Sequence, residues 1–137
     1  MRRTIFATLA LIAALAAAPA LAAQPYPFDL PKMAPMAMAA WRKAVPAAFR
    51  RVGWIGDFAG VGLGPVESHR IGGLEFLVGS VCKPHDCADN QVAFAIAADG
   101  SAAFGLLRAR TPRADHVVIG GPPPPALRAL IEKRLAP

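Results

Sequence analysis

The segment Cys82-Lys83-Pro84-His85-Asp86-Cys87 gathers two cysteines and a histidine within six residues, and it is where this sequence concentrates side chains that could do chemistry. Residues of these types admit redox exchange, zinc ligation, Cys–His nucleophilic catalysis, or a disulfide staple that presents a histidine. Spacing separates them. A thiol–disulfide oxidoreductase keeps two residues between its cysteines at a helix start, whereas four intervene here. Zinc held by Cys82, His85 and Cys87 would need a fourth ligand from His69 or His116, and both fall in strand-like runs where a half-exposed or core-edge histidine is the commoner role. A Cys–His hydrolase needs a free thiol and a third group to orient its base, and the spacing offers neither. Cys82 and Cys87 are the only two cysteines, so a disulfide has one possible pairing. Closing that ring removes roughly 2 kcal/mol of loop-closure entropy from the unfolded chain. Pro84 fixes its own φ and biases Lys83 towards extended backbone, so His85 is presented with few conformations left to lose. On these residues alone, the histidine is either incidental to a structural staple or the group the staple serves.

A persistent disulfide requires an oxidising compartment, and the first residues predict one. Arg2 and Arg3 precede an apolar run from Thr4 to Ala18, followed by the small-x-small triplet Ala20-Leu21-Ala22. These are the three parts of a cleaved secretory signal peptide over residues 1–22, with Ala23 as the first mature residue and the periplasm as destination. The apolar run is shorter than the ~20 residues a membrane span needs, and no other stretch comes close. Loss of Arg2 and Arg3 lowers the formal net charge from +6 to +4. That balance is mildly basic, and no basic run interleaved with aromatics points to nucleic acid. About 115 residues remain, enough for one small apolar-cored domain and no second.

The elements that must position the loop follow from periodicity. Residues 23–35 hold four prolines and no periodic pattern, which predicts an extended N-terminal arm ahead of a single domain over 36–137. From Met36, apolar residues at Met38, Trp41, Val45, Ala48, Phe49 and Val52 predict helix broken at Pro46 and ended by Gly53. Arg42, Lys43, Arg50 and Arg51 fit its solvated side. Trp41 belongs to the buried stripe, whereas Trp54, past the helix, is open between core and contact. Strands are expected from Val66 to Ile71, Leu74 to Val81, Gln91 to Ala97, Ala102 to Leu107 and His116 to Ile119, with a Gly72-Gly73 hairpin turn and an Asp99-Gly100 turn. Pro122 to Pro125 lead into a final helix lined by Leu127, Leu130, Ile131 and Leu135. The fold class is therefore α+β, an antiparallel sheet of about five strands packed by helices, with the cystine loop protruding between two neighbouring strands.

The segment from Gly79 to Asn90, centred on Cys82-Lys83-Pro84-His85-Asp86-Cys87, resembles the signature of the Ivy family of inhibitors of vertebrate lysozyme. Trp41, Trp54, Gly64-Pro65, Gly105 and Gly120-Gly121-Pro122 fall in the family's order, so the likeness runs over about residues 38 to 135. It implies a non-enzymatic periplasmic protein without cofactor or metal, whose cystine loop enters the active-site cleft of C-type lysozyme. Such lysozymes work with one carboxyl group kept protonated and a second kept ionised. By this likeness His85 sits between them, donating a charge-assisted hydrogen bond to each as an imidazolium. Asp86 and, less directly, Lys83 are the neighbouring contacts. A basic C-type lysozyme gains no long-range steering from an inhibitor at +4, although Asp86, Asp89 and Glu75 would make the loop end locally acidic. The resemblance also implies an alternative target, the cell's own lytic transglycosylases. Monomer and homodimer are both left open.

Overall fold

The structure, a computed structural model, describes residues 24–110 and 114–135, and the leader expected over 1–22 lies outside them. It begins with helix rather than with an extended arm. A 3-10 turn, Pro27–Asp29, runs into α1 (Leu30–Met33) and then α2 (Pro35–Ala44). Proline reads as a breaker only in a helix interior; at the first turn its missing N–H is harmless and its fixed φ is already helical. Pro27, Pro31 and Pro35 all occupy such first-turn positions. Asp29 closes the entry by accepting a 2.9 Å hydrogen bond from the Tyr26 amide, and the Val66 amide donates to the Pro25 carbonyl at 2.7 Å. Leu30 is buried to 1% exposure. The segment is thus sewn to the sheet.

Beyond α2 the chain breaks at Pro46 as expected and restarts as α3 (Ala47–Arg50). Met38, Trp41 and Val45 are fully buried, Phe49 and Val52 partly so, and Ala48 is exposed. Gly53 does not end the helical region. It opens a further turn, α4 (Gly53–Gly56), which buries Trp54 and Ile55 and so assigns Trp54 to the core.

Six antiparallel strands follow: β1 (Val61–Gly62), β2 (Glu67–Ile71), β3 (Leu74–Cys82), β4 (Gln91–Ala97), β5 (Ala103–Ala109) and β6 (Ala114–Ile119). Their order is β1-β3-β4-β5-β6, with β2 also paired to β3. Because β4 occupies one side of β3 from Phe76 to Cys82, β1 and β2 share the opposite side in succession. The two-residue β1 sits inside a glycine-rich stretch too short to show alternation, which is why five strands rather than six are legible.

Helices cover both faces of the sheet. Val92, Phe94 and Ile96 of β4 meet the N-terminal helices, where Trp41, Phe58 and Phe94 form an aromatic cluster with Phe58 and Phe94 stacked at 4.3 Å. The Trp41 indole donates to the Ile55 carbonyl at 2.8 Å, which satisfies the one polar atom such a burial would orphan. A Cβ at Gly105 would fall 2.7 Å from the Trp41 ring, so only glycine lets β5 pass there. The alternate residues of β4, Ala93, Ala95 and Ala97, are small and face Leu127 and Ile131 of α5 (Pro125–Arg134). All seven residues of β4 are therefore buried, and the alternation seen at 92, 94 and 96 separates two packed faces rather than core from solvent. No helix among the described residues is long and apolar enough to cross a membrane.

Candidate functional site

The β3–β4 hairpin carries the cystine loop at its end. Cys82 pairs with Gln91 as the last rung between the strands, and the Lys83 amide extends the ladder by donating to the Asn90 carbonyl at 3.0 Å. Beyond that rung the chain reverses at once. The Asp86 amide donates to the Lys83 carbonyl at 3.1 Å, closing a four-residue turn with Pro84 and His85 at its centre. His85 has φ +65°, in the left-handed region. Proline cannot take a positive φ, so the hydrogen-bonded turn is of type II, with proline at the first central position and a left-handed residue at the second. Glycine or asparagine normally fills that second place, because a side chain there strains the backbone. Here it is histidine.

A disulfide joins Cys82 to Cys87, with their Cα atoms 4.9 Å apart. Neither cysteine therefore offers a thiolate for a metal or a substrate. Cys82 is buried, Lys83, Asp86 and Cys87 are half-buried, and Pro84 and His85 are exposed. His85 is exposed, and no hydrogen bond or ion pair among the described residues engages its imidazole. Groups of three or more His, Cys, Asp or Glu side chains able to hold a metal are absent among the described residues.

Two buried side chains support the loop from beneath, Asn90, read from sequence only as the end of the motif, and Gln91, read only as the start of a strand. Asn90 and Gln91 are 0% and 2% exposed. The Asn90 amide donates to Asp86 Oδ2 at 2.7 Å while its oxygen accepts from the Arg110 amide at 3.0 Å. Gln91 Nε2 donates to the Cys87 carbonyl at 2.6 Å. The available signal was a polar pair opening an otherwise apolar strand, where polar atoms must find partners or cost stability.

Of the three acidic residues expected at the loop end, Asp86 remains there, Asp89 is ion-paired and Glu75 lies elsewhere. Asp86 has one oxygen occupied by Asn90, and Asp89 is paired with Arg110 at 3.3 Å. Glu75 stands near the far end of β3 from the cystine, opposite Arg70, and accepts a 2.7 Å hydrogen bond from the Ser68 hydroxyl. The other histidines also lie away from the loop. His69 pairs across from Phe76, six residues along β3 from Cys82, or roughly 20 Å at about 3.3 Å per residue. Its ring lies 3.0 Å from the Glu67 carboxylate. That hydrogen bond, with the charge of Arg134 second, holds the Glu67 carboxyl below its ordinary pKa. His116 is exposed on β6, separated from β3 by two intervening strands.

Comparison with known proteins points the same way as the loop. Residues 61–137 match the family described as inhibitor of vertebrate lysozyme (Ivy), a segment running from β1 past α5 and containing the cystine loop. Helices α1 to α4 precede it. The chain is 38% identical over 53 residues to the inhibitor of vertebrate lysozyme of Pseudomonas aeruginosa, covering 39% of this chain and 34% of that protein. It is 36% identical over 72 residues to an uncharacterized protein of Yersinia pestis, covering 53% of this chain and 46% of that protein. The chain thus spans less than half the length of each of these relatives.

Proposed function

The chain belongs to the Ivy family, and from that membership we propose that it is an exported, periplasmic inhibitor of C-type lysozyme that places the Cys82–Cys87 loop in the enzyme's active-site cleft. The observation that carries this reading is His85. It is an exposed imidazole without an internal partner, held in a left-handed conformation at the tip of a turn locked by a disulfide. Strained non-glycine backbone persists only where surrounding structure over-determines it, and it gathers at sites of function.

Chemistry supplies the rest. Between one protonated and one ionised carboxyl group, an imidazolium replaces the proton relationship the enzyme maintains with its substrate, donating from Nδ1 to one group and from Nε2 to the other. Desolvation in the cleft strengthens both bonds, since charge pairs gain as the local dielectric falls. Rigidity matters equally. A loop already held in its bound shape gives up little conformational freedom on docking. Lys83, Pro84 and the remaining oxygen of Asp86 surround the histidine as secondary contacts.

A second reading is favoured by charge. At +4 without its leader, the protein gains no long-range attraction to a basic lysozyme, so an endogenous lytic transglycosylase is the alternative target. Turbidity assays of cell-wall lysis, run side by side with purified C-type lysozyme and a purified lytic transglycosylase, test both. Inhibition of lysozyme should be stoichiometric and indifferent to chelators and glutathione. Abolition by a chelator, or reduction of insulin disulfides by the protein, would remove the inhibitory reading.

A further inference from the structure

Asn90 has no exposed surface, and a buried amide is tolerated only if its polar atoms find partners. The partners it finds belong to separate segments. Its Nδ2 donates to Asp86 Oδ2 at 2.7 Å, its Oδ1 accepts from the Arg110 amide at the end of β5 at 3.0 Å, and its backbone carbonyl accepts from the Lys83 amide at 3.0 Å. One residue therefore grips the first and last residues of the Lys83–Asp86 turn and ties both to the neighbouring strand. Only Pro84 and His85 lie between. Pro84 cannot rotate about φ. Opening the turn at His85 rotates the peptide that joins it to Asp86, which breaks the Asp86 amide bond to Lys83 and carries the Asp86 carboxylate away from Asn90. The strain of a non-glycine residue at positive φ is comparable with one hydrogen bond to a charged group. Removing that bond is then enough to release the turn.

We propose, resting on the inhibitory reading of His85, that Asn90 is a positioning residue: acting through Asp86, it holds the turn closed around His85 and so aims the imidazole, as a lock independent of the disulfide. Asp86 becomes an internal strut first and a partner contact second. The disulfide closes the base of the ring at Cys82 and Cys87, whereas the Asn90 clamp fixes its tip. Reduction of the cystine then leaves the tip ordered.

The test uses Asp86→Ala, Asn90→Ala and the double variant of the full chain, with two readouts: hydrogen exchange of the Asp86 amide in the free protein, and inhibition of C-type lysozyme. Each single variant should speed exchange of that amide about tenfold and weaken inhibition about tenfold, the loss expected from one such bond. Because both singles break the same link, the double variant should be no worse than the poorer single. An Asp86 amide that stays protected in Asn90→Ala, or effects that multiply in the double variant, would overturn the proposal. Asn90→Asp keeps the side chain's shape and guards against a folding failure in Asn90→Ala. Near pH 7 it sets a carboxylate against Asp86, with Lys83, His85 and the Asp89–Arg110 pair as the surrounding charged groups, and exchange should quicken. Exchange that stays at the parent's rate in Asn90→Asp would also overturn the clamp. Should the parent fail to inhibit lysozyme while exchange responds as described, the inhibitory reading falls and the positioning of His85 by Asn90 stands.

Discussion

At the scale of single residues, His85 carries two separable properties, a side chain that is exposed and a backbone that is strained. Truncation to His85→Ala removes one or two charge-assisted hydrogen bonds at the centre of the proposed interface, where losses of about 2 kcal/mol or more are common. Inhibition of lysozyme should weaken at least about tenfold, whereas His69→Ala and His116→Ala should leave it intact. Stability should follow the backbone instead. Alanine keeps the positive φ and its strain, so the melting temperature of His85→Ala should stay near the parent's. His85→Gly relieves that strain and should be more stable than His85→Ala by about 1 kcal/mol, or roughly 4–8 °C in a domain of this size, while inhibiting no better. Thermal melts in which the glycine variant is the less stable would contradict the left-handed assignment. The sequence showed the cystine and the proline-presented histidine because both follow from residue type at short range. It hid the Asn90 clamp because the contacts to Asp86 and Arg110 depend on where β5 ends.

Secondary-structure elements were legible where periodicity spoke and illegible where proline and glycine were taken at face value. The hairpin of β2 and β3, the break at Pro46 and the final helix all followed from local pattern and turn chemistry. The N-terminal segment did not, because proline at a helix start and proline in a linker look alike until packing is known. Leu30 decides between them. In an extended arm its truncation would be nearly silent, but at 1% exposure Leu30→Ala should cost 2–5 kcal/mol, read as a lowered denaturant midpoint. The cystine loop makes the opposite prediction. Cys82→Ser with Cys87→Ser should leave the domain folded, because Asn90 still holds the loop's tip and Gln91 and the sheet its base, at a stability cost near the roughly 2 kcal/mol of loop closure. Inhibition should weaken as the base of the loop, no longer closed by the cystine, becomes costlier to order. Loss of cooperative unfolding in this variant would show that the disulfide maintains the fold itself.

Across the whole molecule, charge links the two ends of the chain to pH and to partners. Glu67 on β2 is held below its ordinary pKa first by the His69 hydrogen bond and then by Arg134 of α5. A carboxyl group whose pKa is depressed by folding stabilises the folded state above its unfolded pKa, here about 4.5, and loses that contribution as pH falls through the lower folded value. Its side chain is 47% exposed, so solvent screening limits the effect to below about 1 kcal/mol. Glu67→Gln should therefore lower stability slightly at neutral pH and not at strongly acidic pH, measured by denaturant unfolding along a pH series. The same charge inventory speaks to encounter with a partner. In the proposed exported form, at +4, the protein approaching a basic lysozyme would meet weak repulsion at long range, so close complementarity at the loop must supply the affinity. Added salt screens that repulsion while barely touching bonds buried in the cleft. Association with C-type lysozyme, followed by stopped flow between low and moderate ionic strength, should hold constant or quicken. A steep fall with salt would mean that attraction between opposite charges drives the encounter, and it would move the proposed contact away from the cystine loop to an acidic face of this molecule.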